Sequence, residues 1–115
     1  METCGIVITY HKEDCDDCYC YCNEKTGTKI KEEYFQNNGK KEGEYKSYWT
    51  NEQLNEICNY INGKKEGEYK RYHKNGQLYE ICYYINDKKE GEYKIYWDNG
   101  EINEVYNYKN GKKVE

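Results

Sequence analysis

The sequence predicts an all-β protein, an antiparallel meander of stacked β-hairpins that forms one elongated, twisted single sheet. Two observations predict this fold class. The segment Lys-Lys-Glu-Gly-Glu-Tyr occurs three times at an interval of 24 residues, starting at Lys40, Lys64 and Lys88, and an interval of this size indicates a repeat array. Asn-Gly dipeptides also separate short runs of aromatic and β-branched residues, which is the strongest short-range signal of a hairpin.

Each 24-residue unit divides at its turn residues into two strands. We predict six strands, near residues 43–49, 54–61, 67–73, 78–85, 91–97 and 102–108. The favoured two-residue turn needs a positive φ at both positions, which Asn-Gly allows. Asn51-Glu52 and Asn86-Asp87 depart from this pattern, so a residue with a side chain must take the strained position there.

The N-terminal part differs from the repeats. We expect residues 1–25 to form a cysteine-rich cap, in which residues 6–10 could be a short strand, and residues 26–115 to form an array of about three and a half hairpins. The first unit of this array follows the pattern in a degraded form with about one extra residue, which predicts a β-bulge.

Tyrosine supplies most of the apolar surface. Leu, Ile, Val and Phe together number 15, whereas there are 16 Tyr and 2 Trp, and the net charge is only -4. A disordered chain would lack aromatic residues and carry a higher net charge. Because a tyrosine ring can be buried while its hydroxyl stays near water, we expect a thin sheet of one layer.

Charge and hydropathy exclude several classes of protein. Lys and Glu alternate within an acidic chain, whereas a nucleic-acid-binding surface would carry a basic stripe. No apolar run reaches the length of a membrane span, and the first residues lack the basic and apolar regions of a secretory signal. We therefore expect a cytoplasmic protein with reduced cysteines and no nucleic-acid partner.

Side-chain alternation along each strand predicts an aromatic face that binds a partner protein. Its members are Tyr45, Trp49, Tyr69, Tyr93, Tyr96 and Trp97. The strand at residues 102–108 is a second candidate, because an open edge can accept a partner strand. Isoleucines such as Ile57 and Ile81 point the opposite way, so the second face is closed by curling of the sheet, by the cap or by a partner.

The N-terminal cysteines are the candidate metal site. The candidate ligands are His11, Cys15, Cys18, Cys20 and Cys22. Thiolates and imidazole are the usual ligands of zinc, but cysteines at every second residue of one strand lie roughly 7 Å apart, which is unfavourable for one tetrahedral ion. Three readings stay open: a zinc site, an oxidised or redox-active pair, and free thiols.

Two further cysteines, Cys58 and Cys82, occupy equivalent positions in neighbouring repeats. Equivalent strands lie roughly 10 Å apart, whereas a disulfide requires Cα atoms within about 7 Å. We expect both to be reduced core thiols.

Catalytic residues are scarce. There are two histidines and one serine, and no nucleophile beside a base or phosphate-binding loop is evident. His73 stands where other repeats have Trp49 and Trp97, so we expect it to pack as a ring. Enzyme activity and a cofactor are not expected.

Paired lysines recur at each repeat and predict a row of positive charge along one edge of the sheet. The pairs are Lys40-Lys41, Lys64-Lys65, Lys88-Lys89 and Lys112-Lys113. Such a row could bind acidic lipids, or it could form solvated turns that prevent edge-to-edge aggregation. Glu42, Glu66 and Glu90 directly follow the first three pairs and favour the second reading, so membrane lipid is not the expected partner.

The repeated residues resemble the variant form of the MORN repeat. The segments that carry this resemblance are Asn75-Gly76-Gln77-Leu78, the ten residues from 60 to 69, and their counterparts in the other copies. It covers about residues 26–115. The resemblance implies an elongated sheet of stacked hairpins that acts as a scaffold or binding surface and not as a catalyst.

Proteins similar to this one occur in bacteria, where some are called antitoxin-like, and in large DNA viruses. The chain contains no Pro or Ala and is rich in Asn, Lys, Tyr, Ile and Glu, as an AT-rich genome would encode. The first hypothesis is therefore a non-enzymatic, protein-binding structural scaffold, associated with the virion or capsid of a large DNA virus. An antitoxin-like binder of one partner protein and an acidic-lipid-binding module are the alternatives.

Overall fold

A computed structural model describes residues 4–11 and 29–114 and confirms the all-β fold. The strands are β1 (Cys4–Tyr10), β2 (Ile30–Asn37), β3 (Lys40–Tyr48), β4 (Leu54–Ile61), β5 (Lys64–Lys65), β6 (Gly67–Tyr72), β7 (Leu78–Ile85), β8 (Lys88–Lys89), β9 (Gly91–Tyr96), β10 (Ile102–Lys109) and β11 (Lys112–Val114). They form one antiparallel sheet in the order β1-β2-β3-β4-β6-β7-β9-β10-β11, with β5 beside β4 and β8 beside β7. The described residues include no helix that is long and apolar enough to cross a membrane.

The 24-residue repeat corresponds to one hairpin, and every hairpin pairs with the next in the same register. Within hairpins, Lys46 lies opposite Ile57 and Lys70 lies opposite Ile81. Between hairpins, Ile57 lies opposite Lys70 and Ile81 lies opposite Lys94. Each hairpin therefore presents the same edge to its successor.

The strand pair β1–β2 belongs to the same array. Ile8 lies opposite Glu33 and Glu33 opposite Lys46, which is the register of the later hairpins. The backbone N–H of His11 donates to the carbonyl of Lys29 at 3.0 Å. The equivalent bond in the next hairpin runs from the Trp49 N–H to the Gln53 carbonyl. The sheet thus continues across the predicted boundary of the cap, and residues 12–28 stand in the sequence where later hairpins have a short turn.

The predicted extra residue of the first unit is not found in β2. Ile30 and Asn38 precede Leu54 and Asn62 by 24 residues, and both pairs occupy equivalent places in their hairpins. The additional length therefore lies upstream of β2, between β1 and β2.

The turns are of two kinds. At one edge, both central residues have positive φ, as predicted; Asn62 and Gly63 have values of 53° and 83°. At the other edge that prediction was wrong, because only Glu52 and its equivalents Gly76 and Gly100 have positive φ. These are three-residue loops closed by a bond from the Glu52 N–H to the Trp49 carbonyl at 2.9 Å, and such loops need a single left-handed residue.

A register shift next to these three-residue loops changes which side chains share a face. Between Ser47 and Tyr48 the pairing slips, so that Leu54 lies opposite Tyr48. Leu54 therefore lies on the opposite side of the sheet from Cys58, although simple alternation along β4 would place the two together, because the bulge reverses the direction of the side chains beyond it.

The core lies on one side of the sheet, which we call the tyrosine face. Its buried residues are Tyr45, Cys58, Tyr69, Cys82 and Tyr93, and the half-buried residues packed on them include Tyr34, Tyr60, Tyr84, Tyr106 and Tyr108. Neighbouring rings lie 5.5–6.1 Å apart, as in Tyr69–Tyr84 and Tyr93–Tyr106. Cys58 and Cys82 are free and buried, which confirms the prediction of reduced core thiols.

Candidate functional site

The tyrosine face is held together by a repeated set of three side chains. The Tyr45 hydroxyl donates to the Glu32 carboxylate at 2.6 Å, and the Lys41 ammonium lies 4.8 Å from the centre of the Tyr45 ring. The equivalent sets are Lys65, Tyr69 and Glu56, and Lys89, Tyr93 and Glu80. The Tyr–Glu bond joins one hairpin to the preceding one, so this face is engaged in stabilising the array.

The same contacts fix the protonation states of these groups. Burial, together with the hydrogen bond to Glu32, raises the pKa of Tyr45, and that hydrogen bond lowers the pKa of Glu32 against the opposing effect of burial. Burial raises the pKa of the Cys58 and Cys82 thiols to about 11. Since a thiolate is the reactive form of cysteine, both thiols are poor nucleophiles at neutral pH.

The six aromatic residues predicted to bind a partner do not share one accessible surface. Tyr45, Tyr69 and Tyr93 are only 7%, 7% and 8% exposed in the core. Tyr96 points to the opposite side, where it lies across from Ile102, and Trp49 and Trp97 flank the three-residue loops. A role of these six residues in partner binding stays a prediction.

The opposite side of the sheet, which we call the open face, carries the exposed apolar side chains of the strands. These residues are Ile6, Ile8, Phe35, Ile61, Tyr83, Ile85, Ile102, Val105 and Val114. Lys–Glu ion pairs of 3.0–3.3 Å lie among them, such as Lys70–Glu68 and Lys94–Glu92. Sequence reasoning placed isoleucines on this side, whereas Tyr45, Tyr69 and Tyr93 of the predicted partner-binding set lie on the tyrosine face.

Two equivalent depressions lie on the open face at successive junctions between hairpins. One, of about 320 Å³, is lined by residues that include Ile57, Lys70 and Tyr72. The other, of about 390 Å³, has the equivalent lining of Ile81, Lys94 and Tyr96. Both depressions are lined by apolar and charged residues, so the open face repeats the same kind of depression at an interval of 24 residues.

The predicted row of positive charge contains fewer accessible lysines than expected. The second lysine of each pair lies over tyrosine rings, and in the first three pairs it is half-buried, as Lys89 is over Tyr93 at 4.5 Å. The first lysine of each pair is exposed, and these are Lys40, Lys64, Lys88 and Lys112. The glutamates that follow the pairs accept backbone N–H groups of the next turn, as Glu42 accepts from Asn62 at 2.9 Å.

Aromatic and imidazole rings form a second ladder, the ring edge, which comprises His11, Trp49, His73 and Trp97. The Trp49 indole donates to the Tyr72 carbonyl at 3.1 Å, and His73 Nε2 lies 3.0 Å from the Tyr96 carbonyl. His11 Nε2 lies 2.8 Å from the Tyr48 carbonyl. His73 therefore replaces a tryptophan, as predicted, and His11 has the same structural role.

This role limits how His11 could bind a metal. Since Nε2 faces a carbonyl acceptor it carries the proton, and only Nδ1 could bind zinc. The other predicted ligands, Cys15, Cys18, Cys20 and Cys22, lie outside the described residues. Zinc at this cluster stays a prediction, and metal analysis of the purified protein would test it.

Comparison with protein families found one match. The model of the MORN repeat variant matches the chain at residues 41–62, 65–86 and 89–110. Each match starts at the lysine that lies over the tyrosine rings and ends at the asparagine of a two-residue turn. Together the matches cover more than half of the chain. Comparisons with curated proteins and with solved structures found no match.

Proposed function

Since this chain belongs to the MORN repeat variant family, we propose that it is a scaffold whose open face binds a partner protein. Repeats of this family generally serve as structural or binding elements of non-enzymatic proteins, which often bind membranes or other proteins. We further propose that the partner is a capsid or assembly protein of a large DNA virus, in the cytoplasm or the virion. The repeats and the composition typical of an AT-rich genome support this assignment.

The observation that carries the proposal is the distribution of exposed apolar side chains. Tyr83 and Ile85 are each 52% exposed, and they lie on the open face with the other exposed apolar residues of the strands. Apolar surface of this kind, rimmed by charges, marks interaction sites in soluble proteins. The tyrosine face is less suited to this role because lysines lie over its rings.

Purification of the tagged full-length chain from its native source, followed by mass spectrometry, tests the proposal. We expect capsid or assembly proteins to co-purify with the wild type. Recovery should fall at least tenfold for Tyr83→Lys combined with Ile85→Lys, which adds charge to the open face. Thr50→Lys combined with Gln53→Lys is the matched control, because it adds the same two charges at an exposed loop at the other edge of the sheet.

Two outcomes contradict this function. Equal recovery with the Tyr83→Lys, Ile85→Lys variant would place the partner elsewhere on the molecule. A single small partner in a one-to-one complex would instead support the antitoxin-like alternative.

The four exposed lysines favour a second candidate function, binding to acidic lipid. A lysine near an anionic membrane contributes about 1 kcal/mol, so this row would give at most weak affinity, and the adjacent glutamates reduce it further. Lipid binding would appear as salt-sensitive binding to phosphatidylserine vesicles. It should be lost when Lys40, Lys64, Lys88 and Lys112 are all changed to glutamine.

A further inference from the structure

We propose that copies of this chain associate head to tail, with β1 of one copy pairing along the outer edge of β10 of another so that the sheet continues. The occupant of that edge is therefore a second copy of the chain. This inference goes beyond the proposed function, since it concerns the ends of the sheet and does not depend on the partner of the open face.

The first support comes from the ring edge. Trp49 and His73 each contact a carbonyl of the following hairpin, whereas Trp97 is 53% exposed, and no described residue accepts a hydrogen bond from its indole. Asn51 and Asn75 donate to the following hairpin at 2.8 Å. The side-chain oxygen of Asn99 accepts the Glu101 N–H within its own loop, as the oxygens of Asn51 and Asn75 accept in theirs. The Asn99 amide, however, donates to no described residue.

The backbone of β10 is the second support. In β4 and β7, the equivalent residues pair with the first strand of the following hairpin, at Ile57–Lys70 and Ile81–Lys94. On the corresponding side of β10, the described residues pair only at 107–109, with β11. Residues 102–106 thus present the edge that each preceding hairpin uses to bind its successor.

The strand that fits this edge is β1. Ile8 lies opposite Glu33 as Lys94 lies opposite Val105, so β1 has the register of the first strand of a repeat. When β1 continues the array, Ile8 of the added copy lies opposite Val105, as Lys70 lies opposite Ile57. The Trp97 indole then meets the backbone of the added strand, as the Trp49 indole meets the Tyr72 carbonyl.

The side chains at this junction are complementary. Two inner junctions place a lysine opposite an isoleucine and a third places Lys46 opposite Glu33, whereas the head-to-tail junction places Ile8 opposite Val105. These two residues are 43% and 45% exposed. Association would remove this apolar surface from water.

The joining surfaces differ, so the contact is heterologous and leads to filaments or closed rings. Analytical ultracentrifugation of the full chain over a range of concentrations tests this. We expect assemblies that grow with concentration in the wild type, and at least tenfold weaker association for the double variant Ile8→Lys, Val105→Lys, because two lysines would then face each other at the junction. This variant should fold, because other hairpins carry lysine at the position of Ile8 and Val105 is exposed.

A mixture of complementary variants provides the decisive comparison. The double variants Ile8→Lys, Val105→Lys and Ile8→Glu, Val105→Glu should each be monomeric alone and assemble when mixed, since opposite charges then face each other at every junction. Ile61→Lys combined with Ile85→Lys is the matched control, because these residues are 54% and 52% exposed on the open face of inner hairpins, and it should assemble as the wild type does.

Two results would overturn the proposal. The first is a wild type that stays monomeric at every concentration. The second is a single Val105→Lys variant that is as monomeric as the double variant Ile8→Lys, Val105→Lys, because that pattern indicates symmetric pairing of two β10 strands. Loss of the open-face partner with unchanged self-association would affect only the proposed function.

Discussion

At the residue scale, the tyrosine hydroxyl is the group that joins the hairpins. A hydrogen bond from a hydroxyl to a carboxylate contributes about 1.5–3 kcal/mol, and an unpaired buried carboxylate costs at least as much. Glu80, which is 7% exposed, accepts from the Tyr93 hydroxyl and also from Arg71 at 3.3 Å. The recurring glutamates Glu56, Glu80 and Glu104 are each paired with a tyrosine.

Replacement of Tyr93 by Phe tests this role. We expect the free energy of unfolding to fall by about 1–3 kcal/mol, because the buried Glu80 carboxylate loses its hydroxyl donor. Tyr106→Phe is the matched control, since its acceptor Glu104 is exposed, and it should cost less stability than Tyr93→Phe. Urea denaturation measures both values, and equal losses would show that burial of the carboxylate is not the cause.

Stability should also fall at alkaline pH. Burial raises the pKa of the Cys58 and Cys82 thiols from 9.0 to about 11, so the unfolded chain loses these protons first. Their contribution to stability is therefore complete below pH 9 and is lost as the pH rises through about 11. Denaturation at pH 7, 9, 10 and 11 should show this decline.

Replacing both thiols by Ala should make this alkaline decline shallower. It should not abolish the decline, because burial also raises the pKa of tyrosines such as Tyr84, to about 12. An unchanged pH dependence in the double variant would exclude the thiols as a cause.

At the element scale, the turns determine where each strand ends. The three-residue loops need one left-handed residue, which is glycine at positions 76 and 100 but Glu52 in the first of these loops, with a φ of 71°. A residue with a side chain pays a steric penalty in this region of roughly 1–2 kcal/mol. This loop is therefore less favourable than its two equivalents.

Glu52→Gly should stabilise the protein by about 0.5–1 kcal/mol, because relief of the steric penalty exceeds the entropy cost of glycine. The reciprocal change, Gly76→Ala, should destabilise it by a similar amount. A Cβ at that position would meet only the Gln53 side-chain oxygen, at 3.4 Å, so its effect reports the backbone conformation. Thermal unfolding measures both changes, and a destabilising Glu52→Gly would refute the argument.

At the scale of the whole molecule, the protein is a linear array, 50 × 43 × 20 Å in its principal dimensions. Each hairpin of the array contacts mainly the hairpins on either side of it. Stability in such an array is approximately a sum over repeats and the interfaces between them. The two ends of the sheet carry Ile8 and Val105, whereas every inner junction has a lysine in its later strand, opposite Glu33, Ile57 or Ile81.

Deletion of residues 67–90 should leave a folded protein with a lower melting temperature. The deletion joins Glu66 to Gly91, which reproduces the Glu-Gly junction of the intact chain, and it removes one hairpin and one interface. A deletion of residues 67–78 is the control, because it removes half a hairpin and places equivalent strands side by side. Circular dichroism during heating distinguishes the two, and loss of the sheet signal in both would contradict a modular array.

The sequence by itself determined the period, the strands of the three clear repeats, the turn positions and the single-layer sheet. These features are local, since Asn-Gly turns and alternating side chains act over a few residues. Only the tertiary structure decided which side of the sheet is buried, because alternating side chains are compatible with burial of either side. The tyrosine face is the buried side because of contacts across strands, such as Lys65 over the Tyr69 ring. The tertiary structure also placed β1 in the array, because residues 12–28 separate it from its partner strand and hide the 24-residue interval.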